Sequence, residues 1–109
     1  MAKTAVYIQR GEAIDYKNTT DERIPANTVI LLGKRIGVAG GDIPAGEVGS
    51  IHMNGVFEIP KKAGTALNAG DNVVFTEENG IDKATDDVMG YAVENAAAGA
   101  AAAKVKLIG

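Results

Sequence analysis

The sequence predicts a small single-domain all-β fold, a β-barrel or sandwich of short strands with little or no helix. Two observations carry this. Short β-prone runs recur along the whole 109-residue chain, and Gly, Asn and Pro punctuate them at the spacing of strands and tight turns. The core must also be assembled from small apolar side chains, because the chain has three Tyr, two Phe and no Trp.

The first run is Val6-Tyr7-Ile8-Gln9. The next, residues 28–32, follows Ile24-Pro25-Ala26-Asn27, where Pro presets φ and Asn tolerates the left-handed conformation. Gly33-Lys34 then turns the chain into the run 35–39. The corner Ile43-Pro44-Ala45-Gly46 repeats the earlier pattern and delivers the run 48–53. Asn54-Gly55 between two apolar runs favours a type I′ turn, so residues 48–59 read as a β-hairpin. Residues 60–67 have Gly64 at their middle and read as a loop. The corner pattern returns as Leu67-Asn68-Ala69-Gly70 before the run 72–76. Asn79-Gly80 leads into 80–83, Met89-Gly90 interrupts 88–93, and the last run is 104–108. Helix is poorly supported even in the Ala-rich stretch 94–103, because it is short and Gly99 costs about 1 kcal/mol against Ala.

Several classes of function are disfavoured. Basic residues number 11 against 14 acidic ones, no basic cluster is present, and no nucleic-acid partner is expected. No membrane partner is expected either, since the longest apolar stretch, residues 96–103, is far too short to span a bilayer. The absence of cysteine removes disulfides, thiolate catalysis and Cys-ligated zinc. His52 is the only histidine and reads as a surface or cross-strand residue. Gly33-Lys34 is followed by Arg35 where a phosphate loop needs Ser or Thr, and the Gly that should open that loop is missing. The paired acids, such as Glu77 with Glu78 and Asp86 with Asp87, read as solvated turns. No catalytic residue, cofactor or metal site is therefore expected, and the chain is not expected to be an enzyme.

One tripeptide suggests a rival. Asp82-Lys83-Ala84 resembles the attachment motif of lipoyl carrier domains, which would make Lys83 the modified residue. It follows Asn79-Gly80, however, so Lys83 is expected in the returning strand and not at a hairpin tip.

The order of segments across the chain is more specific. Gly11-Glu12-Ala13-Ile14-Asp15-Tyr16, Ile36-Gly37-Val38-Ala39, Gly55-Val56-Phe57-Glu58-Ile59-Pro60-Lys61, Ala69-Gly70-Asp71-Asn72-Val73-Val74, Gly90-Tyr91-Ala92-Val93 and Val105-Lys106-Leu107-Ile108-Gly109 occur in that order. The whole resembles the decoration, or cement, proteins of tailed-bacteriophage heads, a family sometimes labelled as a RecA- or RadA-type recombinase. The resemblance implies a structural virion protein that forms a homotrimer and binds the major capsid protein on the capsid exterior, stabilising the shell. Synthesis in the host bacterial cytoplasm follows, since the opening lacks the apolar run of a signal peptide. A head-fibre or tail component shares the same composition. The Ala-rich stretch departs from the family's pattern.

The chain is expected to divide into an N-terminal extended arm, residues 1–20, and a β-barrel domain, residues 21–109. The arm is followed by a polar stretch with little to bury, so it should pack weakly on its own domain. Tyr7, Ile14, Asp15 and Tyr16 are the candidate contacts with the capsid or a neighbouring subunit, by strand addition to an open sheet edge with Tyr16 as the apolar anchor.

Overall fold

A computed structural model describes residues 2–8 and 11–108. The strands are β1 (Ala13–Lys17), β2 (Val29–Leu32), β3 (Arg35–Ala39), β4 (Val48–His52), β5 (Val56–Pro60), β6 (Asn72–Thr76), β7 (Gly80–Lys83), β8 (Gly90–Ala92) and β9 (Ala102–Leu107). No helix occurs among the described residues, and the Ala-rich stretch is a turn followed by the start of β9. Strands β3, β6 and β7 begin and end where the sequence pattern places them. Residues 6–8 of the first predicted run carry no strand, and Gln9 lies outside the described residues.

The strands form two antiparallel sheets, a four-stranded one ordered β1-β4-β3-β2 and a five-stranded one ordered β5-β9-β8-β6-β7. The fold is all-β as expected, but neither sheet closes into a barrel. A single parallel bridge, Lys61 with Ile81, is where the two margins of the larger sheet meet.

The expected hairpin at residues 48–59 is not formed. β4 pairs with β1 and β3, whereas β5 pairs with β9, so Asn54-Gly55 carries the chain from one sheet to the other. A type I′ turn needs positive φ at both central residues; Gly55 has φ 119°, while Asn54 is not among the positive-φ residues.

The two sheets are copies of one unit. β1, β4, β3 and β2 correspond in order and direction to β5, β9, β8 and β6, and β7 is an addition to the second copy. The hydrogen bonds repeat as well. Ile24 and Ile43 exchange backbone bonds of 2.9 and 2.8 Å, as do Leu67 and Ala96 at 2.9 and 2.8 Å. The N–H of Ala26 is capped by the Asp42 carboxylate at 2.8 Å, and that of Ala69 by the Asn95 side-chain oxygen, also at 2.8 Å. The corner pattern read from the sequence is therefore real: its left-handed position is held by Asn27 (φ 70°), Gly46 (φ 77°) and Gly70 (φ 92°), immediately before β2, β4 and β6. A fourth corner, with Ala100 N–H bonded to the Ala97 carbonyl at 3.0 Å, precedes β9.

Packing follows the period of two. On β2, Val29 and Leu31 face a large cluster containing Ile36, Val38, Ile59, Leu67, Val73, Ile81, Val105 and Leu107. Ile30 and Leu32 face a smaller cluster with Ala39, Ile43, Ile51 and Met53. The four-stranded sheet is thus covered on both faces, which is why β3 is buried from Ile36 through Ala39. The cover on the outer face comes close: a Cβ on Gly49 would run into the Ile43 side chain. Full burial of each such Ile contributes about 2 kcal/mol. The molecule is a plate, with principal extents of 47 × 41 × 20 Å.

Candidate interaction surface

The N-terminal segment and β1 behave differently. Val6, Tyr7 and Ile8 are 81, 79 and 81% exposed and belong to no strand, although every one is β-prone. Ile14 and Tyr16 alternate along β1 and pack, half-buried, against the smaller cluster, while Asp15 between them is exposed. β1 itself pairs with β4 over its full length, from Ala13 opposite His52 to Lys17 opposite Val48. Of the candidate contacts, only Tyr7 therefore lies in a segment free of the sheets. Ile14 and Tyr16 are engaged by the chain's own fold, and the four residues do not form one patch.

The residue that anchors this boundary was not singled out by sequence reasoning. Asn18 is fully buried just after β1. Its Nδ2 donates to the carbonyls of Glu22 (2.7 Å) and Ile43 (2.9 Å), and its Oδ1 accepts from the Thr20 N–H (3.0 Å) and hydroxyl (2.6 Å). Lys61 occupies the same place after β5. It is 6% exposed, and its ammonium donates to the carbonyls of Lys62 (2.9 Å), Thr65 (2.6 Å) and Ala98 (3.1 Å). Each of these polar side chains pins a corner to the strand it follows. The register of the repeat, β1 with β5, relates the two, and it emerges only from the strand pairing.

Elsewhere the polar groups are satisfied or solvated. No buried side-chain nitrogen or oxygen among the described residues lacks a hydrogen-bond partner, and no group of three His, Asp or Glu side chains among them stands at metal-binding range. His52 is exposed on β4 and lies against Phe57, ring centroids 6.1 Å apart. Lys34 sits in the β2–β3 turn and faces Asp87 at 3.5 Å, with its side chain 76% exposed. Lys83 ends β7, away from the β6–β7 tip, and faces Asp71 at 3.7 Å. Asp42 is held below the ordinary carboxylate range, first by the Ala26 N–H it accepts and then by the charge of Arg23, whose guanidinium lies 2.8 Å away.

Two clefts lie along β2. One of 560 Å³ is lined by Val29, Phe75 and residues 77–80, among others, and another of 540 Å³ by Leu31, Gly33, Phe75 and residues 76–79. Both have β2 as one wall and the β6–β7 hairpin as the other.

No curated protein matches the chain. The crystal structure of the N base of the head fibre protein gp8.5 of bacteriophage phi29 is similar at 18% identity and a TM-score of 0.45, covering 88% of this chain and 94% of that one. A family model described as phage cement protein matches residues 8–107. That match spans β1 through β9, both copies of the repeated unit, and the chain belongs to the phage cement protein family.

Proposed function

We propose that this protein binds the outer surface of the phage capsid as a small closed oligomer, a homotrimer, and stabilises the shell by bridging major capsid protein subunits. Its N-terminal segment acts as the assembly arm. The observation that carries this reading is the exposed apolar run Val6-Tyr7-Ile8, which the chain's own sheets leave unused. Isolated exposed apolar residues are ordinary, but consecutive ones in an extended segment are a liability unless a partner covers them. The plate shape suits a protein that lies on a surface, and symmetric association supplements a core without buried aromatics.

The test uses the full chain and Tyr7→Asp, whose site is 79% exposed and makes no contribution to the core. The full chain should show the mass of three 11.2 kDa copies by light scattering and should co-sediment with undecorated capsids. The variant should still unfold cooperatively, at a lower Tm than the associated full chain, and lose both properties. A monomer that pellets with capsids equally well in both forms would overturn the role of the arm.

A further inference from the structure

An edge strand presents a row of unpaired amide and carbonyl groups, which proteins blunt with charges, proline or bulges. β1 carries Asp15 and Lys17, β5 carries Glu58 and Pro60, and β7 carries Asp82 and Lys83. β2 reads Val-Ile-Leu-Leu and has none of these.

The direction of its free groups follows from the pairing. The Ala39 N–H bonds the Thr28 carbonyl at 2.9 Å, so by alternation Ile30 and Leu32 bond β3. The N–H and C=O of Val29 and Leu31 then point away from the sheet. In the second copy of the unit, Asn72 stands where Val29 stands, and its carbonyl accepts the Ala84 N–H at 2.8 Å, just past β7. Among the described residues the repeat thus places a strand beside β6 and none beside β2.

We propose that residues 4–8 of one copy add as a fifth strand to β2 of a neighbouring copy, bonding the outward groups of Val29 and Leu31; this rests on the arm's role in assembly given above. Thr4-Ala5-Val6-Tyr7-Ile8 is one residue longer than β2 and carries apolar side chains on both faces, with Ala5 and Tyr7 on one and Val6 and Ile8 on the other. The clefts along β2 receive the inward side chains over Phe75, and Glu77 and Glu78 on their far wall complement Lys3. The strand comes from a second copy because its own chain cannot reach. β1 and β2 are opposite edges of the sheet, so a strand outside β2 lies about 19 Å from β1, four strand spacings away. The five residue steps from Ala13 back to Ile8 span at most about 17 Å.

Amide exchange resolved by residue tests this on the full chain, free at high concentration and bound to capsids. In the full chain the Val29 and Leu31 amides should exchange at least about 100-fold more slowly than in Val6→Pro, where the arm cannot complete a ladder. Ile30 and Leu32, bonded to β3, should be protected in both. A synthetic peptide of residues 2–8 added to Val6→Pro should restore the protection. Fast exchange of Val29 and Leu31 in the full chain in both settings overturns the proposal, even where Val6→Pro has lost capsid binding and the arm's assembly role stands. Slow exchange in Val6→Pro without peptide also overturns it, since β2 would then be covered by something else, such as β2 of a second copy.

Discussion

Replacing Lys61 separates two opposing terms at a buried ammonium. Its three carbonyl partners stand at 2.6 to 3.1 Å, and hydrogen bonds to a charged group contribute about 1.5–3 kcal/mol each. Against this stands the desolvation of a side chain that is 6% exposed, which costs several kcal/mol. Two of the partner carbonyls belong to the exposed residues Lys62 and Ala98 and can turn to water once the ammonium is gone. Lys61→Met keeps the volume of the stem and should lose about 1–2 kcal/mol. Lys61→Ala also deletes three buried methylenes, about 2.4 kcal/mol more, for a total of ~4 kcal/mol. At this chain length each kcal/mol lowers Tm by about 4 °C, so the expected losses are roughly 4–8 °C and 16 °C. Thermal unfolding by circular dichroism at pH 7 and fixed protein concentration reads both. A Lys61→Met variant as stable as the parent would refute the reasoning, because desolvation would then outweigh the hydrogen bonds. Equal losses in the two variants would show that the stem is not packed.

Further outcomes follow from the repeat and its corners. Asp42→Asn should fold normally, because Asn95 caps the equivalent amide in the second copy. Since the Asp42 pKa is depressed on folding, its charge stabilises above the ordinary carboxylate range and that advantage is lost as pH falls through the folded value; melting curves of parent and variant should differ at pH 7 and converge in acid. A difference unchanged down to pH 2 would count against this. Asn27→Gly should be neutral or slightly stabilising, whereas Gly46→Ala, at φ 77°, should cost about 1 kcal/mol in urea unfolding. Gly49→Ala should cost about 1–3 kcal/mol, because the new methyl displaces Ile43. No ATP hydrolysis should be measurable; a turnover abolished by Lys34→Ala would contradict the reading of that lysine as a solvated turn residue.

Local chemistry was legible in the sequence. Strands at 35–39, 72–76 and 80–83 were set by β-prone runs between turn formers, and the corners at Asn27, Gly46 and Gly70 by residues that tolerate positive φ. The family was legible as well, because the order of these segments spans nearly the whole chain. The polar stretch after β1 makes the sequence read that strand as part of the arm, although Ile14 and Tyr16 alternate with Asp15 and Lys17; the buried hydrogen bonds of Asn18 are what make that stretch part of the fold. The tertiary structure alone decided which strands pair. Asn54-Gly55 dictates a local bend, but whether its flanking strands join each other or cross between sheets depends on β1, β3 and β9, which lie far away in sequence. The duplication was hidden for the same reason. Asp42 and Asn95, or Asn18 and Lys61, are unlike residues that do the same work, and what the two copies share is a pattern of backbone hydrogen bonds, to which side-chain identity is a weak guide.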